Sequence, residues 1–358
     1  MSSTDELALM KTLRPPPMPL WRKLLWLGLV AALAVLAARA YVRMIRMPGA
    51  SRAGPLPALM AADRALSTRL EQHVRVLATD IGGRSTQVPA GLARAALYLE
   101  EQLSTAGYDV QRERFDASGV RCDNLIAERR GTTRPRELVV VGAHYDSVRD
   151  RPAANDNASG TAALLELARL YATRAGPRTV RFVAFANEEP PHFQRDSMGS
   201  LVDARRARGR GDDVVAMVSL ETIGYFDERE GSQHYPFPLS VFYPDRGDFV
   251  AFVTRVENRA LVRRAIGSFR RAATLPSQGA ALSSSITGVD FSDHWSFWQA
   301  GYPALMVTDS AFFRDSSYHT VRDTPEHLDY GRMARLVRGL VAVIDDLRTV
   351  ARADIATD

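Results

Sequence analysis

Short apolar segments alternate with longer amphipathic ones along most of the chain. Four segments are apolar at almost every position and have the length of buried strands; they lie at residues 137–143, 179–186, 214–220 and 304–308. A strand without a polar face has to be covered on both sides. The pattern therefore predicts an α/β fold, with a mixed, mostly parallel central sheet covered by helices on both faces.

Helical periodicity fills the intervals between and around these strands. The predicted helices lie near residues 60–78, 90–106, 158–174, 198–208, 247–270 and 325–350. Gly107 is suited to end the second helix, and Thr324 and Pro325 are suited to cap and begin the last one. Residues 108–130 have a strand-like pattern interrupted by a turn at 117–119.

The N-terminal region contains the longest apolar run, fifteen uncharged residues at 24–38. Arg22, Lys23, Arg39 and Arg43 flank it and can extend towards the membrane surface, which lets a run of this length span a bilayer. A cleaved signal peptide is the alternative, because residues 38–40 match the A-x-A cleavage pattern, although Arg39 lies inside that pattern. A buried soluble helix is disfavoured because no polar face interrupts the run.

These features divide the chain into an N-terminal tail (1–23), a transmembrane signal anchor (24–43), a linker (44–58) and one large domain (59–355). Pro, Gly and Ser are frequent in the linker. Basic residues are balanced on the two sides of the anchor, so their count does not set its orientation. We expect the large domain on the exported, periplasmic or extracellular, side of a single-pass protein.

Composition excludes several classes of protein. Hydrophobic residues make up 46% and charged residues 24% of the 358 positions, which is ordinary for a globular protein and excludes a disordered chain or a multi-span membrane protein. The net charge of +5 comes from scattered arginines and predicts no nucleic-acid partner. A single cysteine, Cys122, excludes a disulfide framework and a cysteine-rich zinc module. The oligomeric state stays open.

Acidic and histidine side chains follow the predicted strands at the points where the strands end. In open α/β sheets, ligands bind beyond the carboxyl ends of the strands. Two histidines and three carboxylates meeting there need a cation, and imidazole nitrogen and carboxylate oxygen suit zinc. The polar side chains at these strand ends comprise two histidines, five carboxylates and one tyrosine, from which such a ligand set can be drawn: His144, His319, Asp146, Asp156, Glu188, Glu189, Glu221 and Tyr318.

The motifs AHYDS, NDNASG, NEE, SLETIG and YHT occur in this order. Together they resemble metallopeptidase family 28, which contains co-catalytic di-zinc aminopeptidases and some carboxypeptidases. The resemblance covers roughly residues 60–350. It implies that Asp156 bridges two zinc ions, with His144 and Glu221 completing one site and Glu189 and His319 completing the other.

The resemblance also assigns the remaining roles. Glu188 resembles the general base of the family, and Tyr318 resembles the tyrosine that stabilises the oxyanion. Asp146 is expected to accept the second ring N–H of His144, and the peptide bond after Asp156 is often cis in the family. Two features depart from the family pattern: Glu221 stands where aspartate is commoner, and residues 190–200 lengthen the loop after the glutamate pair.

These assignments imply a zinc-dependent exopeptidase, an aminopeptidase acting on peptides. A glutaminyl-peptide cyclotransferase is the first alternative, but these one-zinc enzymes carry tryptophan where this chain has Tyr318. A non-catalytic binding or receptor domain is the second, but it would be expected to lose ligands that are all present here.

Other histidines receive structural interpretations. The run from Ser292 to His294 is not interpreted as a catalytic triad, because three adjacent residues do not readily form one. We expect Asp293 and His294 to support or line the site, although His294 is also considered as an extra ligand. The remaining histidines are interpreted as surface, loop or packing residues: His73, His192, His234 and His327.

Overall fold

A mixed sheet of eight strands forms the centre of the computed structural model, which describes residues 18–356. The strands are β1 (Gln111–Ala117), β2 (Val120–Arg129), β3 (Arg134–His144), β4 (Arg178–Phe185), β5 (Asp213–Glu221), β6 (Val250–Arg255), β7 (Ser277–Leu282) and β8 (Ala304–Thr308). Their spatial order is β1-β2-β4-β3-β5-β8-β6-β7. The predicted α/β fold with a mixed, mostly parallel sheet is confirmed.

The four strands at the middle of the sheet run in one direction. Strands β4, β3, β5 and β8 are neighbours, and each adjacent pair is parallel. Antiparallel pairing joins β2 to β4 on one side and β6 to β8 on the other. The carboxyl ends of the four middle strands therefore meet at one edge of the sheet.

Helices cover the sheet on both faces. They are α1 (Leu20–Met44), α2 (Ala61–Arg75), α3 (Pro89–Thr105), α4 (Gly160–Tyr171), α5 (Gly199–Arg210), α6 (Arg259–Ala272), α7 (His294–Gln299), α8 (Tyr330–Thr349) and α9 (Ala353–Ala356). Short helical turns lie at Val76–Ile81, Ala154–Ser159, Leu239–Val241, Val256–Asn258, Ala311–Phe313 and Pro325–His327.

Two apolar cores follow from the alternation of side chains along the strands. Val139 and Val141 of β3 belong to the first core, with apolar side chains of α2, α3, α4, α6 and α8. Leu138 and Val140 belong to the second core, with side chains of α5 and α7 and with Leu239 from the loop after β5. Burial of both strand faces explains why these strands lack a polar side.

Two predictions about elements were wrong, and one strand was missed. Residues 247–270 form strand β6, a short helical turn and then α6, where one helix was predicted. Strand β7 was not predicted. The last helix begins at Tyr330, because Thr324 and Pro325 start a separate short turn and the Asp329 side chain accepts a hydrogen bond from the Arg332 N–H to cap α8.

The chain divides into two compact units, residues 1–43 and 44–358. The first contains most of α1, whose described residues are exposed and reach a mean hydropathy of 2.0. This helix is long and apolar enough to cross a membrane, and a signal sequence has the same properties. The part of the predicted N-terminal tail at residues 1–17 lies outside the described residues.

The first residues of the predicted linker belong to the large unit and pack on strand β7. Met47 lies over Gly279 of β7, where an added Cβ would come within 2.8 Å of the Met47 side chain. The backbone N–H of Ser277 donates to Ser51 Oγ at 2.9 Å. Residues 44–51 therefore follow the β7 edge of the sheet.

Candidate metal centre

The ends of the four parallel strands supply the side chains of the candidate site. His144 is the last residue of β3, and Glu221 is the last residue of β5. Glu188 and Glu189 follow the end of β4, and His319 lies on the loop that follows β8. Residues distant in sequence are brought together because these strands are parallel neighbours.

Asp156 enters the site from the turn at Ala154–Ser159, immediately before α4. The peptide bond between Asp156 and Asn157 is cis, as the resemblance implied. The side chain of Asn157 donates to the Leu220 carbonyl at 2.8 Å and accepts from the Thr222 N–H, which ties the turn to the end of β5. The position of Asp156 is thus fixed by its neighbour and by the adjacent strand.

Two groups of possible ligands share Asp156. One consists of His144, Asp156 and Glu221, and the other of Asp156, Glu189 and His319. Within each group, one nitrogen and two carboxylate oxygens lie within 4.8 Å of one another. His144 Nε2 is 3.4 Å from Asp156 Oδ1, and His319 Nε2 is 2.9 Å from Asp156 Oδ2. The two carboxylate oxygens of Asp156 thus face different histidines.

The donor atoms of this cluster fit a bound cation. His144 Nε2, Asp156 Oδ2, Glu189 Oε1 and His319 Nε2 are buried and have no hydrogen-bond partner among the described residues. Buried polar atoms are normally paired, so several unpaired ones in one place need an explanation. Imidazole nitrogen with carboxylate oxygen is a donor set that zinc accepts.

Ionisation of the cluster reflects the crowding of buried acids. Burial raises the pKa of Glu188 and Glu221 and raises that of Glu189 to about 8. Burial also disfavours the charged form of His319, but Asp156 and Glu189 outweigh it and raise its pKa to about 10. Asp156 differs: burial opposes its ionisation, yet the two histidines hold its pKa well below its usual range.

Asp146 organises the loop that carries the glutamate pair. Its two oxygens accept hydrogen bonds from the backbone N–H groups of Glu188 and Glu189, at 3.0 and 3.1 Å. Asp146 Oδ1 also lies 3.4 Å from His144 Nδ1. Asp146 therefore contacts the loop and the histidine together, whereas the sequence suggested only the contact with the histidine.

Glu188 and Tyr318 lie beside the ligand groups without belonging to either. Glu188 Oε2 is 3.9 Å from His144 Nε2. The Tyr318 ring stacks on the His319 ring with centroids 3.8 Å apart, and burial raises its pKa well above the usual value, so its hydroxyl keeps its proton. Tyr318 and Glu221 also line an apolar cavity that opens beside the cluster.

Several supporting residues were missed in the sequence. Asp323 accepts the backbone N–H groups of Asn155 and Asp156, at 2.7 and 3.1 Å, and links the His319 loop to the Asp156 turn. Ser292 Oγ donates to Glu221 Oε2 at 2.7 Å. The fully buried Arg84 donates to carbonyl groups on both sides of the site, including those of Tyr145, Pro152 and Ala153.

Two further histidines lie outside both ligand groups among the described residues. His294 is buried, its Nε2 lies 2.8 Å from the Val289 carbonyl, and it belongs to neither ligand group among the described residues. His192 is also buried, between Thr86 Oγ1 and Ser197 Oγ. His192 is a loop residue, one of the two placements predicted, but it is not at the surface.

Comparison with known proteins places the site in a family. Residues 124–344 match peptidase family M28. The chain is 40% identical over 290 residues to the uncharacterized protein YfbL of Escherichia coli, covering 77% of this chain and 87% of YfbL. The alignment covers only about half the length of two probable zinc metalloproteases, from Leptosphaeria maculans and Pyricularia oryzae.

Solved structures share the fold at low sequence identity. BSAP, a zinc aminopeptidase from Bacillus subtilis, aligns with a TM-score of 0.64 and 14% identity, covering 81% of this chain and 98% of that one. A glutaminyl cyclase from Fimbriiglobus ruber aligns with a TM-score of 0.59 and 20% identity, covering 84% and 99% of the two chains. The fold alone therefore does not separate these two activities.

We predict that the free energy of unfolding of the chelated, metal-free protein decreases as the pH rises. The pKa values of Glu189 and His319 are raised to about 8 and about 10, so between about pH 6 and pH 9 the folded state binds more protons than the unfolded state. Added zinc needs deprotonated ligands, so it should raise Tm more at pH 9 than at pH 6. Calorimetry with chelator and with zinc across this range measures both effects.

The matched control for this prediction is Glu189→Gln, which removes one titrating group. Its chelated form should show a shallower fall of Tm with pH than the unsubstituted protein. A Tm of the chelated, unsubstituted protein that stays constant or rises from pH 6 to pH 9 contradicts the prediction.

Proposed function

Because the chain belongs to peptidase family M28, we propose that it is a di-zinc aminopeptidase that hydrolyses the N-terminal residues of peptides. The observation that carries this proposal is the position of Asp156, which belongs to both ligand groups. One of its oxygens faces His144 and the other faces His319. The same geometry supports the ligand roles of His144 and Glu221 in one site and of Glu189 and His319 in the other.

Two zinc ions held by these residues would polarise the scissile carbonyl and lower the pKa of a water molecule. Glu188 lies against the cluster without being one of the ligands, which suits it to accept a proton from the attacking water and to return it to the leaving amine. Asp146 holds the backbone of Glu188 in place. Tyr318 keeps its hydroxyl proton and is suited to donate to the oxyanion.

The surroundings of the cluster support a substrate with a free chain end. The carboxylates of Glu188 and Glu221 can attract the α-amine of a peptide, and Glu221 and Tyr318 border the apolar cavity. An apolar side chain on the N-terminal residue of the substrate would fit that cavity. The first peptide bond would then lie at the ligand groups. Chain-end recognition of this kind favours an aminopeptidase over an endopeptidase.

We also propose that the protein is a single-pass membrane protein with its peptidase domain, residues 59–355, on the exported side. The support is the apolar helix Leu20–Met44, which contains no buried residue and is exposed up to Arg43. Retention of this helix makes it an anchor, and its removal would make it a signal peptide.

We predict stepwise removal of N-terminal residues from free peptides by the zinc-loaded full chain in detergent. Matched peptides carry a free or an acetylated N-terminus, one of them begins with glutamine, and mass spectrometry identifies the products. The acetylated peptides should stay intact, and chelation should abolish cleavage. Loss of ammonia from the glutamine peptide without cleavage would instead establish a cyclotransferase, and internal cleavage would exclude an exopeptidase.

Glu188→Gln should keep the bound metal and lower kcat by about 10²–10⁴-fold, the usual contribution of general acid–base catalysis. Glu101→Gln, at an exposed position of α3, is the control and should keep full activity. Near-native turnover by Glu188→Gln would remove Glu188 from the mechanism.

His319→Ala should bind one zinc ion per chain where the unsubstituted protein binds two, because only the group that contains His319 loses its nitrogen ligand. Elemental analysis after equilibration at controlled free zinc measures the ratio. His234→Ala, at an exposed loop position, should keep both ions. Equal zinc contents in the two variants would contradict the assignment.

A further inference from the structure

We propose that the loop at residues 236–242, called here the tip loop, contacts the phospholipid bilayer in which the N-terminal helix is anchored. The tip loop follows β5 and contains the short helical turn Leu239–Val241. The proposal rests on the membrane anchoring proposed above and otherwise on contacts within the large unit.

The tip loop presents large apolar side chains to solvent. Phe237 is 90% exposed and Val241 is 72% exposed, whereas Leu239 between them is buried in the second core. Leu239 thus fixes the loop to the fold while the side chains on either side of it stay outside. Phe237 also has a proline on each side. Exposure of neighbouring large apolar groups on a fixed loop is unfavourable in water and typical of an interaction surface.

The tip loop lies next to the point where the chain enters the large unit. Met44, the last residue of α1, packs against the second core, to which Leu239 belongs. Tyr243, the residue after the tip loop, donates through its hydroxyl to the Gly279 carbonyl at 2.8 Å, and Met47 lies over the same glycine. Both segments therefore meet at β7.

Little free chain separates the membrane helix from this place. Only Ile45 and Arg46 lie between Met44 and Met47, and the three Cα–Cα steps that join them span at most about 11 Å. Beyond them, Arg270 donates to the carbonyls of Pro48 and Gly49 at 3.0 Å each. The contact with Ser277 continues this attachment at Ser51. An anchor in the bilayer therefore keeps the β7 edge, with its tip loop, near the lipid surface.

Positively charged side chains surround the residues that follow the N-terminal helix, and they are complementary to the phosphate of a phospholipid headgroup. Arg43 and Arg46 are exposed, and the guanidinium of Arg263 on α6 donates to the Arg46 carbonyl at 2.5 Å. Arginines beside exposed aromatic and aliphatic side chains are the combination found on surfaces that lie in the membrane interface. This complementarity favours a bilayer over a second protein as the occupant.

Contact with the bilayer has a consequence for the catalytic cavity. Tyr235, Pro236 and Leu239 form part of the wall of the apolar cavity that reaches Glu221 and Tyr318. The tip loop therefore lies between the lipid surface and the cavity proposed to bind the side chain of the N-terminal residue. Peptides whose N-terminal residues partition into the interface would be presented beside the site.

The test places an environment-sensitive NBD label on the tip loop of the full chain in lipid nanodiscs. Phe237→Cys carries the label, and Val241→Cys provides a second position on the same loop. The native Cys122 stays unlabelled because it is buried and burial raises its thiol pKa to about 11. Nanodiscs contain phosphatidylethanolamine and phosphatidylglycerol, with or without a lipid that carries a nitroxide quencher near the headgroup.

Leu97→Cys is the matched control. Leu97 is an apolar residue that is 57% exposed on α3, a helix that packs on β2 near the opposite edge of the sheet from β7. The label at 237 and at 241 should lose most of its emission when the quencher lipid is present. The label at 97 should keep its emission.

Quenching at 237 and 241 no greater than at 97, in chains retained in the disc, would overturn the proposal. A blue shift of the label at 237 without quenching by lipid would mean contact with protein, such as a second copy, and would also overturn it. Failure of the chain to enter discs would remove the anchor and the proposal together. Peptide cleavage measured on the same samples tests the peptidase function separately.

Discussion

The structure depends on a cluster of buried carboxylates at the candidate metal centre. These groups cannot all carry a charge in an apolar surrounding without a compensating positive charge. Asp156, Glu188, Glu189 and Glu221 are almost completely buried, and two imidazoles are their nearest opposite charges. Isolated buried charges are strongly unfavourable, so such a cluster persists only with protons or cations among its members. The raised pKa of Glu189 and the lowered pKa of Asp156 show how unequally the available protons are shared. A cation is the simplest way to remove this imbalance.

The fold holds the cluster together against its own repulsion. Parallel pairing of the middle strands brings His144 and Glu221 to one edge, and hydrogen bonds then join the loops to one another. Asp146 holds the backbone of the glutamate pair, and Asp323 holds the Asp156 turn from the loop that carries His319. The ligand geometry is thus set by backbone contacts of neighbouring acids before any ion is considered.

The sequence predicted the parts of this arrangement that leave a local signal. The four middle strands are continuous apolar runs, and the ligand candidates follow them directly, so both were visible. Strand β6 was assigned to a helix because a helical turn and α6 follow it without a break. Strand β7 has the sequence SQGAAL, whose small residues carry no strand pattern.

The supporting contacts could not be predicted for a different reason. Asp323 and Arg84 bind backbone groups that are distant in sequence, and nothing in the sequence near them marks those partners. His192 lies in a loop, as the sequence allowed, but the fold buries it between two hydroxyl groups. Contacts with main-chain atoms and burial of irregular segments depend on the completed fold.

Because the two ligand groups share the carboxylate of Asp156, metal binding at one group would affect metal binding at the other. In a two-ion enzyme, an ion at His144 and Glu221 alters the charge and orientation of Asp156, and this alters the affinity of the position at Glu189 and His319. Linkage is reciprocal, so each ion changes the affinity of the other by the same factor. In such an enzyme, a substitution in one group would lower the occupancy of its own position and also alter the affinity of the other position.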